Sequence, residues 1–412
     1  MQELDFEAMR ARLAERRRAA VRSLPELIRR FSERATAAGA SVYPPDCAVG
    51  AIATILTILQ RHQVRSVVKS KSMATDEIGL NDALQAAGIE VVETDLGEFL
   101  VQAAGESPSH IIAPAMHMTR ERAAEVISRA TGEQLPADPE RLVAAVRRHL
   151  REKFVQAGAG ITGANALVAE TGSVMLVSNE GNARLTSSLP PVHIVVAGID
   201  KATDTLTDAT AMLELLPRSA SGQLASSYVS FITGPSRSAD IEMTLTLGVH
   251  GPREVHIVLL DNGRSAMRAD PDFHATLQCV RCGACSNVCP AYQQVGGHAM
   301  GHVYSGPIGL VLTPFHHGLA NAAGPQSLCA GCNACATVCP AAIPLPALIL
   351  GVRERAVAAG VARSRMKGLA LCALASERWF ALGLRTLARV PGLDAVSRIL
   401  PGSPLRRRPL PR

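Results

Sequence analysis

Two stretches of this sequence are nearly the same. Residues 279–290 read CVRCGACSNVCP and residues 329–340 read CAGCNACATVCP. Each is C-x2-C-x2-C-x3-C followed by proline, and the two blocks hold eight of the ten cysteines. No other feature of the 412 residues constrains the fold as strongly. Three cysteines at intervals of three fit one compact turn, so their sulfurs converge. The fourth points away, and the proline after it keeps the backbone from continuing as before. Its sulfur is then free to reach the neighbouring block.

This is the spacing of bacterial ferredoxin runs that bind two clusters, in which the last cysteine of each run ligates the other cluster. On that reading Cys279, Cys282, Cys285 and Cys339 hold one [4Fe–4S] cluster, and Cys329, Cys332, Cys335 and Cys289 hold the second. Thiolates also suit zinc. A zinc ribbon, however, closes one tetrahedral site from two separated C-x2-C pairs, and blocks of three plus one ending in proline fit that poorly. The opening MQELDFEAMRARLAERRRAA is charged throughout and predicts no secretory signal. Cysteines in such a chain point to metal or redox chemistry in a reducing cytosol rather than to disulfides. Cys47 and Cys372 lie in apolar, helix-like stretches and are expected to be buried, inert thiols.

A chain that is 47% hydrophobic has material for two or three packed domains. A net charge of +6 with only 3% aromatic residues argues against a nucleic-acid binder, which needs basic patches interleaved with stacking surfaces. No apolar run is long enough to predict a membrane span. Residues 4–36 read as one long amphipathic helix whose arginines (Arg10, Arg12, Arg16, Arg17, Arg18, Arg22, Arg29 and Arg30) form a solvated face.

From about residue 47 to 260 short β-branched runs alternate with helical patterns. SVVKS, IEVVET, HIIAPA, SVMLVS, PVHIVVAG, YVSFITG and EVHIVLLD are the predicted strands, and DPERLVAAVRRHLREKF is a helix with an aspartate cap. The alternation predicts an α/β domain around a buried, largely parallel sheet, with SVMLVSNEGNARLTSS as a hairpin about Glu180-Gly181-Asn182. Polar clusters follow several of the strands. Lys69 and Lys71 stand in one candidate anion-binding turn, and Arg237 in a second just ahead of Asp240 and Glu242; Glu170 and Asn182 flank SVMLVS. No G-x-G-x-x-G after a strand and no Walker A motif is present.

The order VVKSKSM, VVETDLGEFLVQ, SHIIAPAMH, GITGANALVAETGSVMLVSNEGNARL, PPVHIVVAGIDK, GPSRSADIE and GVHGP resembles the LUD (lactate-utilisation) domain. With GGHAMGHVYSGPIGLVLTP and the paired cysteine blocks, the chain resembles the family of iron–sulfur B subunits of bacterial L-lactate oxidation systems. The resemblance implies a fold like ribose-5-phosphate isomerase and the CoA transferases. It also implies two companions, a cysteine-rich iron–sulfur subunit and a small LUD-domain subunit, and conversion of L-lactate to pyruvate with a quinone as one candidate acceptor. Lys69, Lys71, Glu98, Glu170, Asn182, Arg237, Asp240 and Glu242 match motif positions without an assigned catalytic role. The expected organisation is an N-terminal helical segment (1–46), a LUD α/β domain (47–268), an α-helical two-cluster domain (269–350) and a helical tail with a basic end (351–412). The expected setting is cytoplasmic, with Arg406, Arg407 and Arg408 read as a solvated tail and peripheral contact to anionic lipid at the inner face of the membrane as the alternative. The alternative reading is an electron carrier or regulator for another 2-hydroxy acid such as glycolate.

Overall fold

A computed structural model of the chain describes residues 5–240, 242–361, 376 and 378. Of the expected tail, residues 351–358 continue helix Leu345–Ala358; Cys372, Arg406, Arg407 and Arg408 lie outside the described residues. Residues Met1–Ala356 form one compact unit. In chain order its strands are β1 (Ser41–Tyr43), β2 (Ser66–Lys69), β3 (Glu90–Glu93), β4 (Ala159–Thr162), β5 (Ala166–Val168), β6 (Ser173–Ser178), β7 (Val192–Gly198), β8 (Ala202–Thr203), β9 (Tyr228–Ile232), β10 (Arg237–Ser238), β11 (Thr246–Leu247) and β12 (Glu254–Leu260).

Six of them build the main sheet in the order β1-β12-β7-β4-β2-β3, and every neighbouring pair is parallel. Both faces are covered, which is why strands such as Val192–Gly198 are apolar almost throughout and fully buried. Helices Ala48–Arg61 and Leu80–Ala86 pack Ile55, Leu59 and Leu84 on one face. The other face, through Val195, Ala197 and Leu259, is continuous with the apolar residues around the cysteine blocks. A second sheet runs β8-β5-β6-β9, and β10 with β11 forms a separate ribbon. An all-parallel sheet brings every carboxyl end to one edge. Lys69, Glu93, Thr162, Gly198 and Leu260 end their strands there, where α/β folds place ligands.

Three local expectations are corrected. HIIAPA is not a strand. Flanked by Pro108 and broken by Pro114, it forms a turn segment in which His110 Nδ1 accepts the amides of Ile112 and Ala113. SVMLVS is β6, but it makes no hairpin with the residues C-terminal to it. Its partners are β5 and the distant β9, while Asn182–Ser188 is a helix that starts after left-handed Gly181. That helix docks against β4 at Gly160, where a Cβ would stand 1.8 Å from the Thr186 carbonyl oxygen. Cys47 is exposed at the start of helix Ala48–Arg61, not buried.

The basic N-terminal segment also departs from expectation. It is two helices, Phe6–Arg22 and Leu24–Ala37, with Pro25 in the first turn of the second. Arg17 does not face solvent but is 4% exposed. Its guanidinium donates to the carbonyls of Asp200, Ala202, Leu277 and Gln278 at 2.5–3.4 Å. Those carbonyls belong to the short 3-10 turns Ile199–Lys201 and His274–Gln278 and to the first residue of β8, where short elements leave acceptors for a side chain to satisfy. Arg10 reaches the carbonyls of Ala336 and Cys339 in the second block, each at 2.8 Å. The first helix thus clamps both cysteine blocks.

Replacing Arg17 by Met strands buried carbonyls and is expected to lower unfolding free energy by about 3 kcal/mol or more. Arg12→Met removes only an exposed ion pair with Glu214 and is expected to cost less than about 1 kcal/mol. Urea unfolding of both variants under anaerobic conditions measures the difference.

Candidate functional site

The two cysteine blocks fold alike. Each block has a short helix, Ala284–Asn287 in the first and Ala334–Thr337 in the second, preceded by a left-handed residue, Gly283 and Asn333. Two residues earlier the backbone is left-handed again, at Arg281 in the first block and Gly331 in the second. The blocks enclose two small cavities. Cys279, Cys282, Cys285 and Cys339 line one, with Ile308, Ile343 and Leu345. Cys289, Cys329, Cys332 and Cys335 line the other, with Met300, Pro307 and Ile349.

Each cavity fits a thiolate-held cluster. The Arg281 amide points at Cys279 Sγ and the Ile343 amide at Cys339 Sγ, both at 3.4 Å, as donors to metal-bound sulfur do. Burial, followed by the neighbouring cysteines, pushes the Cys282 thiol up to about 12 and Cys335 up to about 11. A thiol raised in this way keeps its proton unless a cationic metal core takes the proton's place.

A third cavity, of about 320 Å³, opens at the carboxyl edge of the main sheet. Ser70, Lys71 and Ser72 after β2, Gly163 after β4, Gly198, Asp200 and Lys201 at and after the end of β7, and Arg264 after β12 line it. Ser178, Glu180 and Asn182 close a second side, and Val280 and Arg281 of the first cysteine block form part of its wall. The cavity and the first cluster cavity therefore share Val280 and Arg281.

Four cations (Lys71, Lys201, Arg264 and Arg281) and three carboxylates (Asp95, Glu180 and Asp200) line it, and they are only partly matched. Arg264 is fully engaged, donating through Nε to Asp200 at 2.5 Å and through both terminal nitrogens to Glu77 at 2.7–2.8 Å. Burial alone would raise Glu77, but Arg264 beside it holds the carboxyl down at about 2. Tyr304, from the segment between the cysteine blocks, donates to the same carboxylate at 2.7 Å. Arg281 lies over the Tyr304 ring, 4.9 Å from its centre. One of its terminal nitrogens stands 3.5 Å from Asp200, and the other is buried without a partner among the described residues. Lys71 Nζ is likewise buried and unpartnered among them, and burial lowers its pKa against the pull of Asp95 and Glu98. Burial brings Lys201 down to about 8, opposed by Asp200. Unspent cationic donors converging in a cavity suit a carboxylate or another small anion.

Of the residues singled out in the sequence, Lys71 and Asn182 reach this cavity. Lys69 is fully buried and paired with Glu93 at 2.8 Å and Asp76 at 3.3 Å. Glu98 is also buried, with one oxygen unpartnered among the described residues. Burial, helped by Asp76 and Glu93, pushes it up to about 8. Glu170 is exposed and accepts the amide of Leu206 at a helix start. Arg237 bonds the Ala38 carbonyl, and exposed Asp240 bonds Ser238; neither they nor Glu242 line the cavity. Asp200, Lys201, Arg264, Arg281 and Tyr304 escaped the sequence reading. The available signal was an arginine standing inside a cluster loop, where the second block has glycine.

An α/β domain with a ligand-sized cavity, fused to a two-cluster module, defines the class: an iron–sulfur protein built for one-electron chemistry. The LUD domain profile matches residues 28–260 and the 4Fe-4S dicluster domain matches residues 275–343. The chain belongs to the LUD-domain family, and its dicluster domain carries two [4Fe–4S] clusters. Among curated relatives, the "Uncharacterized electron transport protein YkgF" of Escherichia coli is 39% identical over 96% of this chain and 81% of its own length. "Lactate utilization protein B" of Bacillus pumilus is 44% identical over 71% of this chain and 60% of its own length, so the match spans three fifths of that relative. A crystal structure of a DUF162 family protein from Deinococcus radiodurans overlaps 58% of this chain and 98% of its own, at 16% identity and a TM-score of 0.32.

Glu98 gives the site a pH signature. Its folded pKa of about 8 lies above the unfolded carboxylate value of 4.5, so the native state holds a proton that the unfolded chain releases between those limits. Its contribution to stability is therefore full below pH about 4.5 and is lost as pH rises toward about 8. At about 1.4 kcal/mol per pKa unit the loss is expected to total on the order of 5 kcal/mol. Unfolding free energies of wild type and Glu98→Gln across that range test it: the glutamine variant should lack this part of the slope.

Proposed function

We propose that this chain is the iron–sulfur electron-transfer subunit of a complex that oxidises L-lactate to pyruvate. Cys279, Cys282, Cys285 and Cys339 hold the cluster nearer the large cavity, and Cys289, Cys329, Cys332 and Cys335 hold the second. The companions are a cysteine-rich iron–sulfur subunit and a small LUD-domain subunit, and the acceptor is of the quinone class. Support for lactate comes from relatives named lactate utilization protein B. The observation that carries the reading is Arg281, whose side chain lines the large cavity while its backbone sits between Cys279 and Cys282.

When bound, each cluster accepts or releases a single electron, and oxidation of one lactate to pyruvate yields two electrons and two protons. The protein's own residues prepare the substrate. Arg281, Lys71 and Lys201 take its carboxylate, which satisfies the Arg281 nitrogen and the Lys71 ammonium left unpartnered. The apolar walls, Ile111, Leu176 and Val196, exclude water from the methyl side. Glu180, raised by burial and by the charge of Asp95, lines the same cavity and accepts a hydrogen bond from the substrate hydroxyl; a companion supplies the acceptor for the two electrons and two protons, so the chain alone does not oxidise lactate. At about 320 Å³ the cavity exceeds what a three-carbon acid fills, and that favours as a second reading a larger 2-hydroxy acid.

The test is anaerobic purification with iron and acid-labile sulfide analysis, followed by electron paramagnetic resonance after L-lactate is added. About eight irons and eight sulfides per chain are expected. A reduced-cluster signal is expected with lactate plus companions and absent with the chain alone. Zinc without sulfide would overturn the cluster assignment, and a signal only with a larger acid would overturn lactate. Arg281→Gln at unchanged iron content is expected to weaken L-lactate binding by roughly 10–150-fold, the worth of a charge-assisted hydrogen bond. Calorimetry on the loaded chain measures it.

A further inference from the structure

At the opposite end of the main sheet, where β12 begins, a group of side chains has no part in the electron-transfer reading. Glu254 and His256 lie on β12, and His62 closes the C-terminal end of helix Ala48–Arg61. His62 Nε2 is 3.3 Å and His256 Nε2 3.2 Å from the same oxygen, Oε2 of Glu254. Neither nitrogen makes a hydrogen bond despite that distance, and both are shielded from solvent. Both contacts fall outside hydrogen-bond geometry. Instead, two imidazole nitrogens and an oxygen lie together, all within 4.8 Å of one another.

His256 is 1% exposed, so no water relieves its unpartnered nitrogen. Its other nitrogen, Nδ1, stands 3.3 Å from the Tyr43 hydroxyl on β1. If that nitrogen donates to Tyr43, Nε2 presents a lone pair to a carboxylate, an arrangement that repels unless a cation lies between them. Ligands about 2.0–2.1 Å from a tetrahedral zinc ion stand roughly 3.3–3.4 Å apart, close to the two separations found here. Two imidazoles and one carboxylate suit a borderline dication better than calcium or magnesium, which prefer all-oxygen shells. Glu254 is 46% exposed, which leaves an open side for a water as fourth ligand.

We propose that His62, Glu254 and His256 bind one divalent metal ion of the zinc class, held in orientation by Tyr43. The ion ties the C-terminal end of helix Ala48–Arg61 to the start of β12 and, through Tyr43, to the edge strand β1. The site is separate from the cysteines and from the large cavity, so it stands or falls independently of the lactate reading.

The test uses the full chain with its clusters loaded, titrated anaerobically with Zn²⁺ by calorimetry and with Co²⁺ by absorption. One equivalent should bind with iron content unchanged, and bound Co²⁺ should show nitrogen and oxygen ligation without thiolate charge-transfer bands. His62→Gln and Glu254→Gln change partly exposed groups, so both should fold with normal iron content while weakening Zn²⁺ by about 100-fold or more. Tyr43→Phe should weaken it roughly 10–100-fold, as loss of an orienting partner does. Zn²⁺ should raise the melting temperature of wild type but not of Glu254→Gln. Absence of a one-equivalent site, unchanged affinity in Glu254→Gln, or a thiolate signature on Co²⁺ would each overturn the proposal.

Discussion

The buried ion group around Arg264 is the constraint on which the remaining architecture turns. One guanidinium, 1% exposed, answers Asp200 from the end of β7 and Glu77 from the helix after β2. The same two carboxylates meet Tyr304 and Arg281 from the cysteine-rich half. Removing a single partner would leave an uncompensated charge in a place that water does not reach, which is far costlier than the net worth of the intact group. The group therefore acts less as a source of stability than as a register: the sheet edge and the first cysteine block have one relative position that satisfies it.

That register explains why the large cavity exists. Parallel strands bring Lys71, Gly163 and Lys201 to one edge, but a sheet edge alone is an open rim. Val280, Arg281 and Tyr304 roof it. The N-terminal helices hold the roof from behind, with Arg17 on the carbonyls that lead into Cys279 and Arg10 on those that end the second block. A segment that looks peripheral in the sequence is thus a brace between the two halves.

Much of this was legible before any coordinates. The cysteine spacing named the clusters, and the β-branched runs between helical patterns named a parallel sheet, because both are local and periodic signals. What escaped depended on contacts distant in sequence. Arg17 reads as one more arginine on a polar face until the carbonyls of Asp200 and Leu277 are folded against it. HIIAPA has strand composition, but Pro108 and Pro114 and the imidazole of His110 give its backbone other partners. SVMLVS was recognised as a strand, yet its partner β9 lies about fifty residues further along the chain, beyond any hairpin signal. Of the polar clusters after strands, Lys71 and Asn182 reach the cavity, whereas Arg237 is spent on the distant Ala38 carbonyl and Asp240 on a local turn. Turn chemistry and site chemistry use the same residue types, and only the third dimension separates them.

The pairing of Arg281 with Gly331 breaks the symmetry of the repeat. Both positions demand a left-handed backbone; glycine adopts it freely, while arginine does so at a cost. The block that carries arginine there shares its wall with the large cavity, whereas the other, whose left-handed non-glycine is Asn333, shares no lining residue with it and leaves Cys332 on the surface. Two near-identical words in the sequence have become an inner and an outer terminal. A docking protein can cover the outer one without obstructing the chamber at the inner one, so the comings and goings of small molecules and of large ones need not compete for the same doorway.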